Sequence, residues 1–303
     1  MQPVNGQISE TKEVWLMFNA LTFDVEDWFQ VGALNRVIRQ EDWDQCESRI
    51  VVNMVRILEL LDEKGMKATF FVLGWIAEKH PDVVKMIYEA GHEVATHGYS
   101  HKSIADQSRG EFEEDLARSI DVIEGLVSEK VIGYRAPNFS VSSETFWVFE
   151  VLADQGIEYD SSIFPIKHDR YGVKDFPRFP VRIRLNGRKD LVEFPVSTVT
   201  LLGRNIPVSG GGYFRLYPYH FIKWAIHSIN EGGKPVLVFL HPWELDPDLP
   251  RVQAGLFSKF RTYANLYLTQ DRFSRLLNDF HFSSVREILK TKDPLPEVFA
   301  VGF

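Results

Sequence analysis

The sequence predicts an α/β fold assembled from parallel βαβ units. Three observations predict it. Short apolar runs alternate with segments of helical periodicity between about residues 16 and 155. Glycines at 65, 91 and 156 stand where those helices stop. Asp24, His97 and Arg135 each fall at the C-terminal end of an expected strand, which places them on one rim of a parallel sheet.

The elements follow in order. Leu16 to Phe23 reads as a buried strand ending at Asp24, and the apolar Trp15 to Leu21 marks its entry. Ile50 to Lys64 carries Val51, Met54, Val55, Ile57, Leu58 and Leu61 at helical spacing. Ala68 to Leu73 is a second strand, Asp82 to Ala90 a helix, and His92 to Thr96 a third strand that delivers His97. Glu111 to Glu129 is a long amphipathic helix. Val131 to Tyr134 is a strand ending at Arg135, and Ser143 to Gln155 is a helix capped by serine. Beyond Ile166 the pattern turns irregular: strands are expected at Leu191 to Phe194, Val196 to Leu202 and Val236 to His241, with helices around Tyr219 to Asn230 and Asp271 to Asp279. The glycines at 210–212 read as a flexible rim loop, with an anion-binding nest as the alternative.

Composition bounds the function. Net charge is −8 with no basic stripe, which disfavours a nucleic-acid partner. No apolar run is long enough for a membrane span. One cysteine, Cys46, excludes an intrachain disulfide, and its polar surroundings lack a nucleophile signature. The segment Met1 to Lys12 lacks a basic region followed by an apolar core, so a cytoplasmic location is expected. Oligomeric state is left open.

The chemistry is concentrated in His97-Gly98-Tyr99-Ser100-His101 and Asp24-Val25-Glu26-Asp27. Two imidazoles four residues apart can close on one ion if the chain turns helically between them. A carboxylate from another strand then completes a hydrolytic zinc set with positions left for water. On a strand, Asp24 and Glu26 share a side.

Thr22-Phe23-Asp24, the His97–His101 segment, Arg135-Ala136-Pro137-Asn138-Phe139, Asp160 to Pro165 and Val238-Phe239-Leu240-His241 recur in that order in a known family. The sequence resembles the polysaccharide deacetylases with a NodB homology domain, carbohydrate esterase family four. Asp24 to Phe29, His168-Asp169-Arg170-Tyr171-Gly172 and Ser209 to Arg215 look closest to its exosortase- and exopolysaccharide-associated cytoplasmic branch. The resemblance implies a distorted (β/α)7-type barrel, bound Zn2+ or another divalent metal, and removal of N-acetyl groups from an amino-sugar glycan. It implies a deacetylase core over residues 15–165 and a C-terminal region, 166–303, that completes barrel and site as one unit.

The family's usual pair of adjacent aspartates is altered, because Val25 stands in the second place. Asp24 is expected as general base and Glu26 as metal ligand beside His97 and His101. Asp27 is the alternative to Glu26, and contact of Asp24 itself with the metal is left open. Arg135 would keep Asp24 ionised, His241 would protonate the leaving amine, and Asp160 would orient or tune a rim histidine. A backbone N–H near Tyr99 or Phe139 would serve the oxyanion, and Tyr99, Phe139 and Trp243 are expected to contact the glycan. Two other functions fit these residues: hydrolysis of a small cyclic amide or ureide on the same fold, and an inactive carbohydrate-binding relative.

Overall fold

The computed structural model describes residues 17–168, 171–292 and 294–299. The sheet strands in chain order are β1 (Phe18–Val25), β2 (Thr69–Val72), β3 (Glu93–Thr96), β4 (Gly133–Tyr134), β5 (Tyr159–Asp160), β6 (Val181–Arg184), β7 (Leu191–Glu193), β8 (Thr198–Leu201), β9 (Arg204–Pro207), β10 (Leu237–Leu240), β11 (His281–Ser283) and β12 (Glu297–Phe299). The helices are α1 (Ile50–Glu63), α2 (Gly74–Lys79), α3 (Pro81–Glu89), α4 (Arg109–Glu124), α5 (Val148–Asp154), α6 (Gly211–Leu216), α7 (Tyr219–Glu231), α8 (Leu256–Tyr263), α9 (Thr269–Asp279) and α10 (Val285–Lys290).

The main sheet runs β10-β1-β2-β3-β4-β5-β7-β6-β12, with β11 also on β1 and β8-β9 as a separate hairpin. From β10 through β5 to β7 every pairing is parallel; β6 runs antiparallel to β7. A parallel sheet covered on both faces reads as continuous apolar runs, and β2 (Thr-Phe-Phe-Val) and β10 (Leu-Val-Phe-Leu) are buried throughout. The open side between β7 and β10 is closed by the segments that follow β5, β7 and β9. Val196 N–H donates to Ile163 O, Leu237 N–H to Ser197 Oγ, and Phe239 N–H to Ser209 O at 2.8 Å. These links curl the sheet into an incomplete, distorted barrel.

That closure explains the glycines at 210–212. Gly210 bridges Phe239, and a Cβ on it would meet the Phe239 carbonyl oxygen at 1.8 Å. Gly211 and Gly212 open α6. Gly210 and Gly211 form a close-packed seam against Phe239 where composition suggested a loose rim loop, while Gly212 faces open space on the cavity rim.

Most long elements match the sequence expectation within a few residues. The helix expected to reach Glu129 stops instead at Glu124, where Gly125 caps it. A Ser108–Glu111 capping box starts it. Trp15, Leu16, Asp169 and Arg170 lie outside the described residues. Trp28, Trp43 and Trp75 gather with Phe29 into a core cluster of edge-to-face rings.

Candidate active site

Parallel topology sends the strand ends to one rim. Asp24 is the penultimate residue of β1, His97 follows β3, Arg135 follows β4, Asp160 ends β5, and His241 follows β10. Of these, Asp24, His97 and His241 open onto a cavity of about 580 Å³. Asp24, Glu26, His97, His101, Phe139, His241 and Trp243 line it.

The His97–His101 segment is not helical. Gly98 has φ 71° and His101 φ 55°. Asp115 of α4 folds the segment instead: its carboxylate accepts the Tyr99 N–H at 2.7 Å, the Ser100 N–H at 3.0 Å and the Ser100 hydroxyl. Both imidazoles then face Glu26. Donor atoms of Glu26, His97 and His101 all lie within 4.8 Å of one another, and all three side chains are buried. Glu26 Oε2 is 2.5 Å from His101 Nε2.

These residues fit a divalent metal. His97 Nδ1 lies 2.8 Å from the Arg135 carbonyl oxygen, which can only accept, so Nδ1 carries the proton and Nε2 is free. Burial lowers the His97 pKa to about 4, keeping it neutral despite the nearby Asp24 and Glu26 charges. Burial opposes ionisation of Glu26, but the adjacent histidines outweigh it and bring its pKa to about 2. Two neutral nitrogens and one carboxylate are a usual hydrolytic zinc donor set. Asp27 is occupied elsewhere. It caps the turn at Trp28–Gln30, accepting from the Trp28 N–H (2.9 Å), Ser48 Oγ (2.6 Å) and the Arg49 N–H (3.0 Å).

Arg135 is fully buried with its guanidinium spread across the barrel. It donates to Asp24 Oδ1 at 2.6 Å, Thr22 Oγ1 at 2.9 Å, Ser161 O at 3.1 Å and Ser161 Oγ at 3.0 Å. Its plane lies 4.1 Å from the Phe71 ring centroid. Asp24 Oδ2 is left facing His241 Nε2 at 3.8 Å.

His241 is positioned by its own turn. Pro242 begins a 3-10 turn, and Glu244 Oε2 reaches back to the His241 N–H (3.0 Å) and Nδ1 (2.9 Å). Arg215 Nε holds the other Glu244 oxygen at 2.8 Å. Burial disfavours a charged His241, but the Glu244 hydrogen bond and the carboxylates of Glu244, Glu26 and Asp24 prevail, raising its pKa to about 9.

Three expected contacts are placed differently. Asp160 meets no histidine. It accepts from Ser162 Oγ at 2.5 Å and pairs with the buried Glu193. Burial holds both carboxyls above their usual range; hydrogen bonds from Glu193 and Ser162 offset part of this at Asp160, whereas the Asp160 charge and hydrogen bond push Glu193 well higher. Tyr99 points away from the cavity, donating to Glu78 at 2.8 Å beneath the Arg118 guanidinium. The N–H groups of Tyr99 and Phe139 are both engaged, by Asp115 and by the Ala136 carbonyl (3.1 Å), so neither is free for an oxyanion. Phe139 does line the cavity, carried there by left-handed backbone at Asn138 (φ 57°) and Phe139 (φ 52°). Trp243 lines it too, stacked on His241 with ring centroids 5.4 Å apart.

Sequence reasoning missed Glu244, Arg215, Thr22 and Ser161. Thr22, Ser161 and Arg215 lie within the motifs that carry the resemblance, but nothing there gave their roles; Glu244 had a separate signal, a proline and, three residues after the histidine, a carboxylate, the spacing of a capping turn.

Comparison with known proteins agrees with this architecture. Residues 41–159 match the sequence model described as polysaccharide deacetylase, and residues 161–290 match a domain of unknown function, DUF3473. A peptidoglycan deacetylase of Helicobacter pylori is 35% identical over 112 residues, 37% of this chain and 37% of that protein. A peptidoglycan-N-acetylglucosamine deacetylase of Bacillus cereus is 37% identical over 84 residues, 28% of each. The matches thus span about a third of these relatives' lengths. A solved structure from Mycobacterium smegmatis, described as a polysaccharide deacetylase, superposes with TM-score 0.58 at 18% identity, covering 91% of both chains. A CE4 family pseudoenzyme from Bacillus anthracis gives 0.50 at 16%, covering 94% of this chain and 69% of that one. At such identities the likeness concerns fold, and the fold carries an inactive member as well. Residues 41–159 thus resemble the polysaccharide deacetylases in sequence, and the chain shares with the solved structures an α/β fold built on a mostly parallel sheet.

Proposed function

We propose that this protein is a metal-dependent hydrolase that removes N-acetyl groups from an amino-sugar glycan, within exopolysaccharide or cell-envelope synthesis. The observation that carries the reading is one cavity holding three devices: the Glu26–His97–His101 donor set, Asp24 tied to Arg135, and His241 tied to Glu244. All three devices use residues outside the segment matched to the family, namely Glu26, Asp24, and His241 with Glu244, so the reading rests on geometry as well as on kinship.

Amide hydrolysis needs an activated water, a stabilised oxyanion and a proton for the departing amine. A divalent cation held by Glu26, His97 and His101 would act as a Lewis acid toward bound water and the amide carbonyl. Asp24 takes the water's proton at Oδ2, while Arg135 engages Oδ1 and orients the carboxylate. His241 is protonated at neutral pH and presents Nε2 to the cavity, where it gives its proton to the amine nitrogen. Glu244 stabilises the cation that must be present before that step. The aromatic walls at Phe139, Tyr171, Tyr213 and Trp243 offer faces to a sugar ring. An open cavity of this size favours a glycan over a small cyclic amide.

The test is acetate release from N-acetylglucosamine oligomers with zinc, with chelator, and with the His97→Ala/His101→Ala variant. Metal-dependent release lost in the variant supports the proposal. No release from metal-loaded protein, with turnover of a cyclic imide, overturns it.

A further inference from the structure

α8 stands at the mouth of the cavity, where Phe257, Phe260 and Arg261 contribute to its lining. Its apolar side chains are nevertheless left in water. Leu256 is 89% exposed, Phe257 67% and Phe260 54%. Exposed apolar side chains clustered on one short element mark an interaction surface more often than isolated ones do. The local charge is equally uneven. From Leu249 to Gln270 the chain carries Arg251, Lys259 and Arg261 and no Asp or Glu, although the whole chain is at −8. Arg261 lies 4.9 Å from the Phe257 ring centroid and Arg251 lies 4.4 Å from that of Tyr263, so cations and rings share one face. Apolar tips flanked by cations suit the headgroup region of an anionic bilayer.

We propose that α8 docks the protein on an anionic lipid surface. Leu256, Phe257 and Phe260 enter the boundary between headgroups and acyl chains, and Arg251, Lys259 and Arg261 meet the lipid phosphates. Charge complementarity selects this occupant over a second copy of the chain, because a two-fold contact through α8 would set the same three cations against their own images. Leu256 argues against a sugar platform, since it lies outside the cavity lining and has no ring face. The inference is independent of the deacetylase reading, because vesicle binding requires no turnover.

The test is sedimentation of the full chain with vesicles of phosphatidylcholine alone and with one-third phosphatidylglycerol, at low and physiological salt. The expected result is binding to the anionic vesicles that weakens as salt rises. Lys259→Gln should weaken it about fivefold and Leu256→Ser about tenfold or more, both with the wild-type melting temperature. Absence of binding to anionic vesicles overturns the proposal, as does equal binding by both variants. Self-association lost in Leu256→Ser without vesicle binding assigns α8 to a second copy and overturns it. Oligosaccharide binding lost in that variant without vesicle binding assigns α8 to a glycan and also overturns it.

Discussion

Glu244 Oε2 lies 2.9 Å from His241 Nδ1, while its partner oxygen is held 2.8 Å from Arg215 Nε. The histidine's pKa is raised from 6.5 to about 9 although burial alone would lower it. A group with a raised pKa keeps its proton below that value and loses it as pH rises. Deacetylation should therefore fall as pH passes through about 9, and a cation bound beside Glu26 will pull this limb somewhat lower. Glu244→Gln should shift the limb further toward neutrality and reduce kcat about 10- to 100-fold. A pH–rate profile of the variant with an unmoved alkaline limb would dismiss His241 as the acid.

The two acids that follow Val25 are separable by experiment. Glu26→Gln should strip the metal, read as zinc per chain, and take activity with it. Asp27→Asn should keep the metal and cost about 1 kcal/mol or more of stability, because Asp27 caps the turn at Trp28–Gln30. The opposite pattern of zinc content would make Asp27 the ligand.

Asp24→Asn should reduce kcat by about 10²- to 10⁴-fold with zinc content unchanged. It also removes the countercharge of the buried Arg135, so melting should drop as well. Unchanged turnover in a metal-loaded variant would remove Asp24 from proton transfer.

Glu193 and Asp160 meet deep beneath the rim, where burial and the Asp160 charge push the Glu193 carboxyl well above its usual range. A carboxyl with raised pKa gives stability that is full at low pH and is lost as pH rises from the unfolded value toward the folded one. Glu193→Gln preserves an acceptor for the Ile163 N–H, now 2.9 Å from Oε1, and supplies a permanent donor toward Asp160. Its melting temperature should exceed the wild type's at pH 8 and approach it at pH 5. A variant that melts lower at pH 8 would contradict the raised pKa of Glu193.

Much of this was legible in the sequence, for identifiable reasons. Helices such as α1 and α7 carry a periodic apolar stripe, and the strands that feed Asp24, His97 and His241 have apolar centres and are buried almost throughout. Strands β4 and β5 are two residues long, too short for any periodicity. The role of Gly210 depends on the backbone of Phe239, distant in sequence. Within the site, residue type and strand end revealed Asp24, His97, Arg135 and His241. Arg215 was hidden because its partner Glu244 lies on a different element, and Asp160 was misread because Glu193 reaches it only through the β5–β7 pairing.

Arg135 engages the two halves of the proposed reaction through different atoms. Its guanidinium grips Asp24, whereas its main-chain carbonyl steadies His97. Replacement of the side chain alters the first connection and leaves the second chemically intact. A substitution series at this single position, with lysine retaining charge and methionine retaining length, would therefore dissect proton abstraction against a constant metal anchor. Few residues offer such an internal control, and here it comes from placing one peptide unit between two strand ends.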